Sequence, residues 1–272
     1  MIDTIIIGAR SNLSNELLKV IENSISCSSS DALAKITQFL AEGKRFNLIL
    51  NQFQPAKLLN SIENLSSYVD VSISLTARIF DLIGKDPILV NKVIYTSSSS
   101  VYGSNPFCKE GDAPNPSNLH SSLKLANEIM VANYCKQKNI DYTVTRIFNL
   151  YGGNDNFSII SRIIKAYKES KILTLVNSGR GIRDFIHIKD AVYVYKILLT
   201  NSDYSVINIG SGKAQSIKDI IFHCKKMGKE LQTKDILIDE IDVSASDNSK
   251  LREILPKDYK FESLFEYISH NL

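Results

Sequence analysis

The sequence predicts a doubly wound α/β fold, in which helices cover both faces of a parallel sheet, followed by a smaller C-terminal α/β cap. Short apolar runs rich in β-branched residues alternate with amphipathic helical stretches through the N-terminal part of the chain. Successive strands are separated by roughly 10–25 residues of helix, which indicates right-handed βαβ crossovers. With 272 residues, of which 44% are hydrophobic, the chain is long enough for one large core or two coupled cores.

The predicted strands are short and apolar, and they are Ile2–Ile7, Ile25–Cys27, Asn47–Leu50, Lys92–Thr96, Tyr142–Phe148 and Val206–Ile209. The predicted helices carry apolar residues at helical spacing, and they are Asn12–Asn23, Asp31–Ala41, roughly Leu58–Ile83, and Ser121–Lys138. After Tyr151 the regularity loosens into helix Ile159–Glu169 and strand Leu173–Val176. We therefore predict a first domain over residues 1–150, to which 184–210 return, and a smaller region over 151–183 and 211–272.

Composition excludes several classes of protein. The net charge is only +3 and the basic residues are scattered, so no nucleic-acid partner is expected. The apolar runs are far shorter than the ~20 residues of a spanning helix, so no membrane partner is expected. The four cysteines form no C-x-x-C pair and lie at no zinc-ligand spacing from histidine, which predicts reduced packing cysteines, no metal site and a cytoplasmic setting.

The loop after the first strand is a candidate dinucleotide site. It reads Gly8-Ala9-Arg10-Ser11-Asn12-Leu13-Ser14 and leads directly into a helix, whose N-terminus favours negative charge. We predict that a dinucleotide contacts Gly8, Arg10, Ser11, Asn12 and Leu13, with Ser11 able to cap the helix. The alternative is an ordinary strand–turn–helix corner.

Cofactor choice is read at the end of the second strand, where an acidic side chain usually holds the ribose of NAD. This segment runs from Ser28 to Asp31. If Asp31 is the first residue of the next helix, only serines such as Ser28 face the ribose, and Arg10 could contact a 2′-phosphate. The sequence therefore gives a slight preference for NADP over NAD.

Six further segments occur in a fixed order, and they are Ser97–Gly103, Pro116–Glu128, Arg146–Gly152, Gly179–Ala191, Asn208–Gly212 and Asp247–Leu251. They resemble the S-S-x-x-V-Y-G, P-x-S-x-Y-x-x-S-K-x-x-x-E, R-x-x-N-x-Y-G, G-x-G-x-R-D-F-x-x-V-x-D, N-x-G-S-G and D-x-S-K-L motifs of the extended short-chain dehydrogenase/reductases that act on nucleotide-linked sugars. The resemblance implies a Rossmann-like first domain, a substrate-binding cap, a nucleotide-diphosphate sugar as partner, and a homodimer formed through helices near Leu65–Ile83 and Ser121–Lys138.

The resemblance also implies roles for individual residues. Ser98 would hydrogen-bond the sugar oxygen that gains or loses hydride, and Lys124 would hold the nicotinamide ribose. Ser99 and Ser100 lie next to the substrate, at the positions where the dehydratases of this family carry an Asp and a Glu, which argues against a dehydratase. Asn149 would bind the substrate phosphate or sugar, and Arg183 would bind the diphosphate because a guanidinium fork suits phosphate oxygens.

The family's acid–base tyrosine is replaced by His120, four residues before Lys124 on the same helical face. His120 could replace the tyrosine as proton donor and acceptor, although a neighbouring cation favours neutral imidazole, which is a poor donor. The acid–base group could instead lie elsewhere, or the protein could be a ligand-binding relative without turnover. The sequence thus predicts an NAD(P)-dependent reductase or epimerase of a nucleotide-activated (deoxy)sugar, with a catalytically degenerate binding protein as the alternative.

Overall fold

A computed structural model describes residues 2–51 and 65–272 of the chain. The contacts divide the chain into two compact units. The first unit comprises Met1–Val101, Pro114–Arg146 and Val192–Ile207, and the second comprises Tyr102–Ala113, Ile147–Ala191 and Asn208–Leu272. This division differs from the predicted domain limits chiefly at residues 102–113 and 184–191, which make most of their contacts in the second unit.

The main sheet is the six-stranded parallel sheet that the alternating pattern predicts. Its strands are β1 (Asp3–Ile7), β2 (Ser24–Cys27), β3 (Phe46–Leu50), β4 (Val90–Ser98), β6 (Asp141–Ile147) and β10 (Val206–Ile209), in the order β10-β6-β4-β3-β1-β2. The pairs β1–β2, β1–β3 and β3–β4 are parallel. The fold is therefore doubly wound and Rossmann-like, and Val206–Ile209 joins this sheet as predicted.

Helices of the first unit are α1 (Asn12–Val20), α2 (Ala32–Ala41), α3 (Leu65–Val69), α4 (Leu75–Ile83), α5 (Leu119–Lys138) and α7 (Ile188–Leu198), whose last residues belong to this unit. The central strands read as continuous apolar runs because they are buried on both faces, with Ile5, Ile7 and Leu48 fully buried. The first part of the helix predicted over 58–83 lies outside the described residues.

Helix α1 and the helix predicted to end at Ile83 differ from the prediction for local reasons. Helix α1 ends at Val20, three residues early, because Ile21 is extended and Asn23 adopts the left-handed conformation with φ 52°. Asparagine tolerates that region better than most residues. Between α3 and α4, Asp70–Ser74 form one π-helical turn, in which the Leu75 N–H bonds to the Asp70 carbonyl. Sequence periodicity does not predict such a turn.

The second unit contains a separate five-stranded sheet made of β11 (Ala214–Ser216), β9 (Ile182–His187), β13 (Val243–Ser246), β5 (Phe107–Cys108) and β7 (Asn149–Tyr151). A two-stranded sheet pairs β8 (Leu173–Val176) with β12 (Thr233–Ile236). Its remaining helices are α6 (Ile159–Lys168), α8 (Ile217–Lys226), α9 (Ser249–Ile254) and α10 (Leu264–Asn271). Its core packs around Ile160, Ile163, Ile220 and Ile268.

A buried ion pair fixes α5 against the main sheet. The carboxylate of Glu128 on α5 lies 2.7 Å from Nη2 of Arg146 on β6, and both residues are about 5% exposed. The hydroxyl of Ser97 on β4 donates to the same carboxylate. One carboxylate therefore joins α5 to the carboxyl ends of two strands, which is where ligands bind in open parallel sheets.

We predict that Glu128→Ala lowers the free energy of unfolding by about 3–5 kcal/mol, because it leaves the Arg146 guanidinium buried without a counter-charge. Urea denaturation followed by circular dichroism measures the change. The matched control is Glu42→Ala, whose partner Lys44 lies 2.6 Å away on the surface, and its effect should be much smaller. Equal urea midpoints for the two variants would contradict this account of the ion pair.

Candidate active site

The first turn of α5 is fixed by a capping box. The Asn118 side chain accepts a hydrogen bond from the Ser121 N–H at 3.0 Å, and the Asn118 N–H donates to the Ser121 hydroxyl at 3.3 Å. Such reciprocal bonds satisfy two backbone donors that a helix start otherwise leaves unpaired. Because the turn is fixed, His120 and Lys124 lie one helical turn apart on the same face of α5.

Lys124 is anchored to the end of β4. Its Nζ donates to the carbonyl oxygen of Thr96 at 2.8 Å and lies 5.2 Å from the ring centroid of Tyr95. The residue is only 3% exposed, and burial lowers the pKa of Lys124 to about 8, although the charge of Glu128 opposes this shift. The ammonium is thus bonded to Thr96, which lies two residues before Ser98 on the same strand.

Ser98 is the last residue of β4, and its oxygen accepts hydrogen bonds from the Ser100 N–H at 3.2 Å and from the Ser100 hydroxyl at 3.0 Å. Ser99 and Ser100 open a 3-10 turn that runs to Tyr102. Because the Ser98 oxygen already accepts two bonds, its own hydroxyl proton is free to act as a donor. That is the property a group needs to polarise a carbonyl oxygen.

His120 is half-buried, and its Nδ1 lies 3.2 Å from the hydroxyl of Tyr68 on α3. Burial and then the positive charge of Lys124 lower the pKa of His120 to about 4. The imidazole is therefore neutral at pH 7. Tyr68 belongs to none of the motifs in the sequence, so sequence reasoning missed it, and only the packing of α3 against α5 reveals the contact.

The loop after β1 uses its serines internally. Gly8 has φ 119°, which favours glycine, and the N–H groups of Gly8 and Ala9 both donate to the Cys27 carbonyl. Ser11 caps α1 by accepting from the Ser14 N–H at 2.9 Å, as predicted. The Asn51 amide donates to the hydroxyls of Ser11 and Ser14 at 2.7 and 2.8 Å.

These contacts test whether the loop fits a dinucleotide. Ser14 is fully buried, and its hydroxyl accepts a hydrogen bond from the Asn51 amide. Asn12 and Leu13 form the first turn of α1, with Leu13 buried, and Arg10 is exposed. The loop resembles the family's G-x-x-G-x-x-G pattern, with Gly8 at the first glycine position and Ser11 and Ser14 at the other two. The helix N-terminus and the positive-φ glycine are both retained, so the loop fits a pyrophosphate despite these two serines.

The end of β2 corrects the premise of the NADP preference. Asp31 is the residue before α2 and makes no capping bond, and its carboxylate instead accepts from the Ser28 hydroxyl at 2.6 Å. The Ser30 hydroxyl is hydrogen-bonded to the Ser28 hydroxyl and donates to the Asp31 carboxylate. The end of the strand is therefore lined by a carboxylate as well as by serines, and a carboxylate repels a 2′-phosphate.

Motif residues of the second unit lie around β9. The Asn149 amide donates to the Asp184 carbonyl oxygen at 2.9 Å. The buried Asp184 carboxylate accepts from Ser211, Gly212 and Ser246. Arg183 points to acidic neighbours, with Nη2 2.9 Å from the Glu240 carboxylate. The sequence did not predict this ion pair, because Arg183 and Glu240 are 57 positions apart in the chain.

The sheet and the site define an extended short-chain dehydrogenase/reductase. The chain belongs to the NAD dependent epimerase/dehydratase family, whose match spans residues 3–210. Within residues 2–51 and 65–272, no helix is long and apolar enough to cross a membrane, and no cluster of three or more His, Cys, Asp or Glu side chains could hold a metal ion.

Several relatives are similar over most of the chain. A UDP-glucuronate 4-epimerase of Thermodesulfobacterium geofontis is 31% identical over 72% of this chain and 62% of its own length. Protein CapI of Staphylococcus aureus is 26% identical over 76% of this chain and 68% of its own. The match thus spans about two thirds of these relatives.

Solved structures share the fold at lower identity. The UDP-glucuronic acid 4-epimerase of Bacillus cereus, in complex with UDP-glucuronic acid and NAD, superposes with a TM-score of 0.83 at 21% identity, and the superposition covers 99% of both chains. The UDP-glucose 4-epimerase of Thermotoga maritima, with UDP-glucose, has a TM-score of 0.83 at 17% identity over 98% of this chain and 96% of its own. These likenesses establish the fold.

We predict that the imidazole of His120 titrates near pH 4 in the folded protein, measured by the pH dependence of its NMR resonances. Removing the neighbouring charge in Lys124→Met should raise that midpoint only in part, because burial is the larger cause.

Between about pH 4 and 6.5 the unfolded chain binds more protons at His120 than the folded chain does. The free energy of unfolding should therefore fall as the pH falls through this window, and less so in His120→Gln. A midpoint near 6.5 would contradict the burial of the ring.

Proposed function

We propose that the protein is an NAD-dependent epimerase or reductase of a nucleotide-activated sugar or deoxysugar. The observation that carries this proposal is the buried Lys124 ammonium, which donates to the Thr96 carbonyl two residues before Ser98 on β4 and lies one helical turn from His120. Family membership supports it, because relatives named as UDP-glucuronate and dTDP-L-rhamnose 4-epimerases are 31% and 23% identical to this chain over the matched residues. Serines at positions 99 and 100 disfavour a dehydratase.

The proposed roles follow from the chemistry of each group. When bound, the nicotinamide would supply or accept the hydride. Ser98 donates its hydroxyl proton to the sugar oxygen and so stabilises the charge that develops there. Lys124 binds the ribose and keeps positive charge in the site, and His120 exchanges the proton of the sugar hydroxyl. The loop residues Gly8, Ser11, Asn12 and Leu13 bind the pyrophosphate.

We propose NAD, and not the NADP that the sequence slightly favours, as the cofactor. The Asp31 carboxylate, together with Ser28, suits the two ribose hydroxyls of NAD, and it disfavours the added charge of a 2′-phosphate. Solved structures of similar fold were determined with NAD. Arg10, the basic residue of the loop between β1 and α1, is exposed.

The substrate is proposed to be a nucleoside diphosphate sugar bound through Arg183 and Asn149. Arg183 supplies the guanidinium fork that suits phosphate oxygens, but Glu240 already occupies part of that fork. The diphosphate must therefore displace a carboxylate, and the ion pair lowers affinity for the nucleotide. We also propose a homodimer through α3 and α5, where Leu65, Val69 and Ile129 are exposed apolar residues.

The second candidate is a binding protein without turnover. The histidine at position 120 and the serines at positions 11 and 14 favour it, because each departs from the residue that the family uses for chemistry or for cofactor approach. Both candidates predict ligand binding, so turnover separates them. A protein that binds NAD and a nucleotide sugar but never exchanges hydride would be the binding protein.

We expect NAD to raise the melting temperature more than NADP does, and one of UDP-glucose, UDP-glucuronate or a dTDP-sugar to raise it further. A ligand at ~100-fold excess over its Kd adds about 2.7 kcal/mol to stability. Asp31→Asn should reduce the preference for NAD by about tenfold, in line with loss of a charge-assisted hydrogen bond. The control is Asp219→Asn on α8, a comparable exposed carboxylate that also accepts a serine hydroxyl. Absence of any shift with all dinucleotides would reject the proposed function.

Glu240→Gln should tighten the binding of UDP by about two- to fivefold, because it removes the carboxylate that competes with phosphate for Arg183. Isothermal titration with UDP measures the change. Arg183→Gln should weaken the binding, and in that background the change at Glu240 should have no further effect. Independent, additive effects of the two substitutions would contradict competition at the guanidinium.

A further inference from the structure

We propose that Tyr68 fixes the tautomer of His120 and supplies the proton that His120 passes to the sugar oxygen, so that this hydroxyl does the work of the tyrosine missing at position 120. The proton transfer to the sugar oxygen rests on the proposed function. The tautomer of the imidazole does not depend on any ligand. In this account Tyr68 is a positioning residue that acts through His120.

The geometry places the phenol directly behind the imidazole. The Tyr68 hydroxyl lies 3.2 Å from Nδ1 of His120, and Tyr68 is only 1% exposed. The contact joins α3 to the first turn of α5, residues that are 52 positions apart in the chain. Bulk water therefore has little access to the phenol, and the imidazole is its hydrogen-bond partner.

The π-helical turn after α3 holds Tyr68 in this place. The Ser72 hydroxyl donates to the Tyr68 carbonyl at 2.7 Å, and the Asn127 amide on α5 donates to the Ser72 carbonyl at 3.1 Å. Tyr68 and Ser72 are four residues apart, and His120 and Asn127 are seven apart, so each pair lies on one face of its helix. Two contacts, Tyr68 with His120 and Ser72 with Asn127, thus hold the two helices in register at His120.

In the proposed relay the phenol donates this hydrogen bond to Nδ1, and the protonation states of both groups are compatible with that direction. Burial raises the pKa of Tyr68, so the phenol keeps its proton at pH 7. His120 is neutral and carries one ring proton. When the phenol donates to Nδ1, the ring proton is on Nε2, the nitrogen on the side of the ring away from Tyr68.

A neutral imidazole alone is a weak proton donor, because losing its proton would leave an anion. The relay removes that difficulty. As hydride adds to the sugar carbonyl carbon, the oxygen gains negative charge and takes the proton of Nε2. Nδ1 simultaneously takes the phenolic proton, so the imidazole stays neutral and Tyr68 becomes a phenolate. The oxidative direction is the reverse of this step: it starts from the phenolate that reduction leaves, each proton moves back, and Tyr68 regains its hydroxyl proton. Charge and protons balance in both directions.

The first test measures the tautomer in the ligand-free protein. We expect ¹⁵N NMR of the histidine rings, with the His120 resonances identified by their loss in His120→Gln, to place the proton on Nε2. Tyr68→Phe removes only the hydroxyl, and it should convert His120 into a mixture of tautomers. Tyr134→Phe on α5, which loses a hydroxyl bonded to the Phe80 carbonyl, is the control and should leave His120 unchanged. A tautomer unaffected by Tyr68→Phe would overturn the proposal.

The second test is a double-mutant cycle in turnover with NAD and the nucleotide sugar that stabilises the protein most. In the His120 background, Tyr68→Phe should lower kcat by about 100-fold, the size of a general acid–base contribution, and leave KM within about twofold. In the His120→Tyr background, where a phenol stands at position 120 itself, Tyr68→Phe should change kcat by less than about twofold. Equal losses in both backgrounds would mean a structural role only and would overturn the relay.

The two tests separate this inference from the proposed function. If the protein binds no dinucleotide, or binds without turnover, the proposed enzymatic function fails and the relay fails with it, while the tautomer measurement still decides whether Tyr68 orients His120. If turnover is observed but Tyr68→Phe retains full kcat, the proposed function stands and the relay is wrong. Urea denaturation of each variant establishes that the compared proteins are folded.

Discussion

The buried carboxylate of Glu128 is the constraint on which the site depends. Because it accepts from Ser97 on β4 and pairs with Arg146 on β6, it fixes α5 across the carboxyl ends of two neighbouring strands. A buried charge tolerates little displacement from its partners, since the cost of leaving it unpaired is several kcal/mol. The position of Lys124, one turn earlier on α5, follows from this anchor, and its bond to the Thr96 carbonyl completes it.

The charge of Lys124 affects the protonation of His120, which lies one helical turn before it on α5. A cation one turn away, together with burial, keeps His120 neutral, so the histidine differs from the tyrosine it replaces in kind as well as in shape. A tyrosine beside a lysine gains acidity from the charge, whereas an imidazole in the same place loses its ability to hold a second proton. The hydroxyl of Tyr68 lies 3.2 Å from Nδ1 of this ring, and in the proposed relay it compensates for the change.

The polar side chains of the proposed nucleotide site are also hydrogen-bonded within the protein. Serines at two glycine positions would crowd a phosphate loop if their hydroxyls faced the ligand, but Asn51 binds both and keeps them within the corner between strand and helix. Arg183 is likewise held by Glu240. In both places a polar side chain contributed by another part of the chain determines what the motif residue can offer to a ligand.

The sequence by itself determined the parallel sheet, the alternation of strands and helices along the chain, and the capping of α1 by Ser11, because these depend on local patterns of apolar and capping residues. It also indicated Ser98, His120 and Lys124 as candidates through their spacing. Only the tertiary structure decided that Asp31 lines the end of β2, that Glu240 pairs with Arg183, and that Tyr68 contacts His120. Each of these is a side-chain contact set by backbone direction at a turn or by packing between distant segments, and no local pattern in the chain encodes such a contact.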